Sequence, residues 1–311
     1  MESLVICLNA IIPIFLIIAV GYLAKRTGVI REGEVSRMNA VAFRVFMPAM
    51  CFYNVYNSDL SSAVHPRMLA FTAAGILFVF ACCVLVARCF VPDPSRRGVV
   101  VQGLYRSNYL ILGLALVSGL VGESALGTAA MTSALVAPLF NILAVIVLEA
   151  NGRHSSPRKV VLDILKNPLI LGSAAGLLAL LLGLRLPAPL EIAVRDLSRS
   201  ASPLMLFLLG AFFHFSDAKA HLRVLALVCL GRLVVIPGII LSLAALLGFR
   251  GGDFVTLLAV FASSTAVASF TMAEQMGGDA ELAGNIVVMT SALASFTLFG
   301  WSLLFKLLGL Y

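Results

Sequence analysis

Apolar residues run along this chain in long blocks, separated by short breaks marked by charged residues or by Gly and Pro. The blocks fall near 4–24, 38–57, 67–91, 100–119 and 125–149, then, after a polar linker over 151–166, near 167–184, 198–215, 222–247, 253–276 and 283–305. Crossing the hydrocarbon core of a bilayer as a helix takes roughly 20 apolar residues, so the pattern predicts an all-α polytopic membrane protein of ten transmembrane helices. Short alternating strands separated by turns do not recur, which disfavours an outer-membrane barrel.

Composition narrows this further. With 311 residues, 61% of them hydrophobic and only 12% charged, the chain has too much apolar surface for a globular cytosolic protein and no room for a separate soluble domain. The first block starts almost at Met1, has no positive n-region and runs too long for a signal-peptide core, so it is expected to remain as the first span. Six cysteines lie mostly within apolar blocks, and none shows C-x-x-C spacing, which suits packing better than a redox or zinc site.

The net charge of +7 is spread over short connections rather than gathered with aromatics, so no nucleic-acid partner is expected. Its distribution carries topology instead. Of the 22 Lys and Arg, 13 fall in the odd-numbered connections and six in the even ones and the ends. Positive charge stays on the cytoplasmic side, which predicts a multi-pass protein of the bacterial inner (plasma) membrane with both termini extracytoplasmic.

Sliding the chain on itself by 155 positions aligns Pro13 with Pro168, Gly21 with Gly176, Gly28 with Gly183, and Pro48 with Pro203. It also aligns Arg44 with Arg199, Met50 with Met205, and Phe52 with Phe207. This predicts one five-helix unit used twice, over 1–155 and 156–311. Five is odd, so the second unit enters the membrane from the opposite side. The result is the inverted repeat of many secondary transporters, which bind substrate near the midplane where discontinuous helices meet.

Two polar stretches interrupt spans at equivalent places in the two units. One is Arg106-Ser107-Asn108-Tyr109-Leu110-Ile111-Leu112-Gly113 and the other is Ala262-Ser263-Ser264-Thr265-Ala266-Val267-Ala268-Ser269. Such residues are costly in hydrocarbon unless they bond to neighbours, a freed backbone or a ligand. The substrate-binding candidates are therefore Ser107, Asn108, Tyr109, Ser263, Ser264, Thr265 and Ser269, with Gly113 as the helix break. All Asp and Glu fall in connections or at span ends, leaving a neutral to positive pocket suited to an anion. Arg44, Arg106 and Arg232 sit within spans. Arg44 and Arg106 are within reach of snorkelling to the headgroups, and Arg232, lying deepest, is the best candidate for a structural or anion-attracting charge, with Arg106 second. His214 is placed at the interface and His65, His154 and His221 in connections, so no metal cluster assembles by spacing.

These residues resemble the auxin efflux carrier family of membrane permeases, whose bacterial members include malonate permease-like proteins. The resemblance rests on Met38 through Ala49, Val136-Ala137-Pro138-Leu139-Phe140-Asn141, Leu165 through Ile170, Ser202-Pro203-Leu204-Met205 through Ala211, Gly231-Arg232-Leu233 with Pro237, and Thr265 through Phe270 leading to Gln275. It implies a ten-helix fold shared with bile acid sodium symporter-like carriers. In that fold helices one, two, six and seven form a scaffold, the others a transport domain, and helices four and nine are broken and cross at the binding site. It adds Asn141 to the site and implies transport of mono- or dicarboxylates such as malonate or malate by an elevator-like motion. The proline usual at each crossover is replaced, at the places aligned with it, by Ala115 and Ser264. That predicts a crossover less sharply kinked, since a returned N–H no longer enforces unwinding.

The sequence thus points to a secondary carrier of small organic anions with no cofactor, a coupling ion of H⁺ or Na⁺ (the latter near Asn108 and Thr265), the lipid bilayer as its surroundings, and a homodimer left open by composition. The alternatives are a sodium-coupled carrier of bile acid-like solutes and a non-transporting receptor with a carrier fold. An intramembrane enzyme lacks a nucleophile and base at depth.

Overall fold

A computed structural model describes residues 2–58, 66–122, 125–151, 157–213 and 221–311. The predicted placements of His65, His154 and His214 lie outside the described residues. Thirteen helices account for nearly all of what is described: α1 (Glu2–Arg26), α2 (32–56), α3 (Pro66–Phe90), α4 (Pro94–Tyr105), α5 (109–121), α6 (Leu126–Ala150), α7 (Pro157–Lys166), α8 (Pro168–Leu181), α9 (Ala188–Phe212), α10 (Leu222–Leu246), α11 (Gly251–Ala262), α12 (Ala268–Gln275) and α13 (Ala280–Leu307). Four of them, α3, α6, α10 and α13, are by themselves long and apolar enough to cross a membrane. Large apolar side chains such as Leu16, Phe78, Leu85, Leu181 and Phe296 face outward, an arrangement that suits lipid and would be a liability in water.

Two expectations need correction. The stretch over 151–166, expected only as a polar linker, contains a helix, Pro157–Lys166. Val161, Leu162 and Leu165 are exposed on it while Lys166 closes its last turn, the composition of a helix lying along an interface. The block expected to start at 198 belongs to a helix that starts at Ala188, with Pro189 and Glu191 in its first turn. Both favour a helix start, but charged residues over 191–199 hid that turn from a hydropathy reading.

Prolines shape two of the helices. In α10 a wide π turn, Gly231–Val235, precedes Pro237. Proline has no N–H for the carbonyl four residues back, here that of Leu233, and the Trp301 indole N–H donates to it at 2.9 Å. In α2 the π turn Ala42–Phe46 precedes Pro48 in the same way.

The helix order of the second half follows that of the first. A shift of 155 carries α2, α3 and α6 onto α9, α10 and α13 to within two residues at both ends. The same shift carries Gly28 (φ 78°) onto Gly183 (φ 62°), and Gly122 (φ 77°) onto Gly277 (φ 77°). These left-handed conformations end helices and favour glycine.

Packing divides the helices into two groups. In the first, α1 lies along α9 and α2 along α8, with α2 crossing α9. The contacts are close enough that a methyl on Gly21 would strike the Phe207 carbonyl, and one on Gly176 would come within 2.5 Å of the Phe52 carbonyl oxygen. Small residues let helix backbones approach in this way where water supplies no driving force. The second group, α3–α6 with α10–α13, surrounds the two broken spans.

Contacts near the helix ends also sort. Ser36 meets Glu274 and Arg96 meets Asp279 at one end of the bundle. At the other end Arg67 donates to the Leu247 carbonyl, and the Leu186 N–H donates to the Tyr56 hydroxyl.

Substituting Gly176→Val should wedge α8 from α2 and cost about 1–3 kcal/mol of stability, read as a lowered unfolding temperature in detergent. Gly33→Ala, at a glycine with nothing within 4 Å of its added methyl, should leave that temperature unchanged.

Candidate functional site: the crossing of two broken helices

Helix α4 ends at Tyr105, and the chain turns extended at Arg106 (φ −83°, ψ 109°). Helix α11 ends at Ala262 and turns extended at Ser263 (φ −64°, ψ 159°). The two extended pieces cross antiparallel, with Ser107 opposite Thr265. The Asn108 N–H donates to the Ser264 carbonyl at 2.8 Å and the Ala266 N–H to the Arg106 carbonyl at 3.1 Å. Backbone groups freed by breaking two helices inside a membrane are thereby paired with each other.

The expectation of a shallow kink is overturned, because both helices are broken outright without proline. Nor is Gly113 the break. It closes the π turn Tyr109–Gly113, five residues beyond Asn108 at the end of the extended piece, where an added methyl would strike the Tyr109 ring. Ala115 lies inside helix α5 and Ser264 lies within the crossing piece, so the two places singled out for a missing proline are not equivalent.

Side chains hold the crossing from outside. The Thr265 hydroxyl donates to the Gly103 carbonyl at 2.7 Å, and the Thr265 N–H donates to the Thr290 hydroxyl at 3.2 Å. Ser263 donates to the Ala259 carbonyl at 2.6 Å, and Ser291 reaches Ser264 at 3.2 Å. Arg232, wholly buried, donates to the carbonyls of Ser263 (2.8 Å), Leu104 (3.3 Å), Tyr105 (3.2 Å) and Val260 (3.3 Å). Those carbonyls end α4 and α11, where the partial negative charge of each helix gathers. One guanidinium therefore caps two half-helices at once. Of the two readings offered for Arg232, this geometry suits the structural one, and the residue is not part of the cleft lining described next.

Arg106 is the reverse case. Only 3% exposed, it does not snorkel to the headgroups as expected. Its Nη2 donates to Asn141 Oδ1 at 2.5 Å, and its Nη1 to Gln102 Oε1 at 3.1 Å and Met272 Sδ at 2.7 Å. Each of these partners is neutral. Asn141 is in turn fixed by donating from Nδ2 to Cys51 Sγ at 3.1 Å.

A small cleft with a cavity volume of about 50 Å³ lies between this crossing and helices α2 and α9. Its lining includes Arg106, Ser107, Asn108, Tyr109 and Asn141, and the first residues of α5 and α12. Asn108 Nδ2 and Ser107 Oγ are buried there with no hydrogen-bond partner. Arg106 is the single charged residue among the described lining. A guanidinium without a counter-ion, two unpartnered polar groups and two helix N-termini all favour a bound anion.

Four of the eight predicted binding residues, Ser107, Asn108, Tyr109 and Asn141, come together on the cleft. Tyr109 is anchored there by its hydroxyl on the Ala129 carbonyl at 2.8 Å. Ser263, Ser264 and Thr265 hold the crossing behind the wall, and Ser269 is buried in α12 with an unpartnered hydroxyl, away from the lining. The opposite wall was missed: Met50 and Asn54 on α2, Ser202 and Met205 on α9. Asn54 and Ser202 are polar residues in apolar blocks and gave a signal. The two methionines gave none beyond their match at a shift of 155.

The profile of the family described as membrane transport protein matches residues 6–155 and 152–302, almost the whole chain. The chain belongs to this family. Over 303 residues this family member is 23% identical to an uncharacterized transporter of Methanothermobacter thermautotrophicus, a match covering 94% of the chain and 97% of that protein. Over 317 residues it is 21% identical to an uncharacterized transporter of Methanocaldococcus jannaschii, covering 96% and 99%. The resemblance to auxin efflux carriers is borne out at the family level, and with it a multi-pass membrane protein of transporter type.

In this membrane transport protein, Arg232→Met should leave four carbonyls at two helix ends without a donor. Hydrogen bonds to charged groups contribute about 1.5–3 kcal/mol each, so a large fall in unfolding temperature is expected, with Arg232→Lys intermediate. An unfolding temperature equal to that of the parent would remove Arg232 from its capping role.

Proposed function

We propose that this protein is a secondary transporter of small organic anions, mono- or dicarboxylates, working by alternating access at the crossing of its fourth and ninth spans. The observation that carries this is Arg106. Burying a charge is costly unless it is paired, and here it is buried on a cleft with neutral partners only. A substrate carboxylate supplies the missing counter-charge. Asn108 Nδ2 and Ser107 Oγ donate beside it, and the apolar wall of Met50, Val136, Phe140 and Met205 takes the carbon skeleton.

Helix order, the paired glycines and the crossed pairing of α1 with α9 and α2 with α8 support two inverted five-helix units over 1–155 and 156–311. In this reading the broken spans are α4 with α5 and α11 with α12, giving ten spans. The sorting of contacts between the two ends supports that count, and the arginine-rich end faces the cytoplasm with both termini outside. The group of α1, α2, α8 and α9 acts as scaffold, and the rest moves against it in an elevator-like step. Two inverted units make the inward-open and outward-open arrangements similar in energy.

At the arginine-rich end one carboxylate ties the groups together. Glu274, on the last turn of α12, accepts from Ser36 Oγ at 2.5 Å and Asn39 Nδ2 at 2.5 Å on α2. Because α12 starts on the cleft and ends at Glu274, it links substrate site and tie through one rigid half-helix.

In proteoliposomes, counterflow of labelled malonate or a related carboxylate is expected. Arg106→Gln should weaken its apparent affinity at least tenfold, the size of a lost charged hydrogen bond, while unfolding temperature stays near that of the parent. Carboxylate binding without exchange would favour a receptor, and flux that vanishes when choline replaces sodium would favour the sodium-coupled carrier. A second expectation concerns the tie: Glu274→Ala should raise hydrogen exchange over 32–41 relative to the rest of α2. Equal exchange in parent and variant would show that Glu274 does not restrain that turn.

A further inference from the structure

A second pocket lies away from the crossing, where α3, α4 and α6 come together at the arginine-rich end of the bundle. It has a volume of about 190 Å³. Phe80, Val84, Val101 and Ile146 form its apolar walls, and Arg88, Arg97 and Asn151 its rim. Apolar walls below a cationic rim, at the level where a span leaves the hydrocarbon, match the two-part chemistry of a phospholipid.

Among the described residues neither guanidinium is paired with an acid. Arg97 Nε donates to the Val91 carbonyl at 2.8 Å and its Nη2 to the Pro92 carbonyl at 3.1 Å, which fixes the group without neutralising it. Arg88 has neither a hydrogen bond nor an ion pair among the described residues. The neighbouring Arg96 differs, being paired with Asp279 at 2.9 Å and Asp93 at 3.6 Å. No carboxylate is among the described lining residues, and Asn151, held by donating to the Val147 carbonyl at 2.7 Å, adds an amide at the rim.

We propose that this pocket binds an anionic phospholipid, with the phosphate between Arg88 and Arg97 and the first acyl carbons against Phe80, Val84 and Ile146. Arginine suits phosphate because its planar fork presents paired donors. All three helices belong to the group surrounding the crossing, so the lipid sits on that group alone and leaves the substrate cleft clear. The inference stands on this pocket and does not require the substrate reading above.

Thermal unfolding of the full chain in neutral detergent tests it, with phosphatidylglycerol and phosphatidylcholine of the same acyl chains as probes. Phosphatidylglycerol is expected to raise the unfolding temperature in a saturable way, and phosphatidylcholine to leave it unchanged. Arg88→Gln, which breaks no hydrogen bond or ion pair among the described residues, should require about fivefold more phosphatidylglycerol for the same shift, the effect of one basic residue at a membrane surface. Arg158→Gln, at an exposed arginine outside the pocket, should behave as the parent. The proposal is overturned if phosphatidylcholine works as well, if the Arg88→Gln titration superimposes on the parent, or if Arg158→Gln shifts it equally. It is likewise overturned if inorganic phosphate alone reproduces the effect, since the site would then be one for a free anion.

Discussion

A backbone that breaks inside a membrane frees N–H and C=O groups that lipid cannot satisfy, and each one left alone costs several kcal/mol. Everything else in this protein follows from how that cost is met at the crossing. The two extended pieces pair with each other through Asn108, Ser264, Arg106 and Ala266. The carbonyls left over at the ends of α4 and α11 converge on Arg232. Two helix ends of like polarity would otherwise repel, so a shared cation both satisfies acceptors and cancels charge. The π turn over Gly231–Val235 carries this arginine, and Trp301 takes up the Leu233 carbonyl left by Pro237.

That solution explains why proline is dispensable here. Proline unwinds a helix by withholding a donor, which makes the broken form the better of two poor choices. In this chain the broken form is favoured directly: Thr265 binds the Gly103 carbonyl, Thr290 receives the Thr265 N–H, and Arg232 collects four acceptors. Replacing a missing bond by several made ones leaves the crossing anchored from three helices. It also leaves the cleft side free of structural duty, so that Asn108 Nδ2 and Ser107 Oγ stay unpartnered beside Arg106.

The parts of this architecture legible in the sequence were those written as periodicity or as special backbone geometry. Hydropathy located the long apolar helices, and the recurrence of Gly28 at Gly183 marked two positions that follow helix ends in the same backbone conformation. The polar interruptions at Ser107-Asn108 and Ser263-Ser264-Thr265 marked where both helices break. What could not be read was which polar atoms face the cleft. Asn108 and Thr265 look alike as polar residues in a span, yet one side chain points into the cleft unpartnered while the other is spent on the Gly103 carbonyl. For the same reason the sequence left both Arg106 and Arg232 as either structural or anion-attracting charges. Depth along a span says how costly a charge is, but only the neighbouring carbonyls say whether that cost has been met.

The division of labour between these two arginines bears on how a carrier can be both stable and responsive. A charge whose partners are all backbone carbonyls, as at Arg232, is insensitive to whether substrate is present. A charge held by Asn141, Gln102 and a methionine sulfur, as at Arg106, is positioned but not neutralised, so a counter-ion would gain more there than at Arg232. Asn141 itself is fixed through Cys51 on α2, which belongs to the other packing group. The geometry of the charge at the cleft therefore depends on how the two groups sit against each other. A ligand that draws Arg106 away from Asn141 weakens one of the links between them. The amide of Asn141 is thus shared between the one charged residue on the cleft and a helix of the facing group, so a change at Arg106 is felt where the two groups meet.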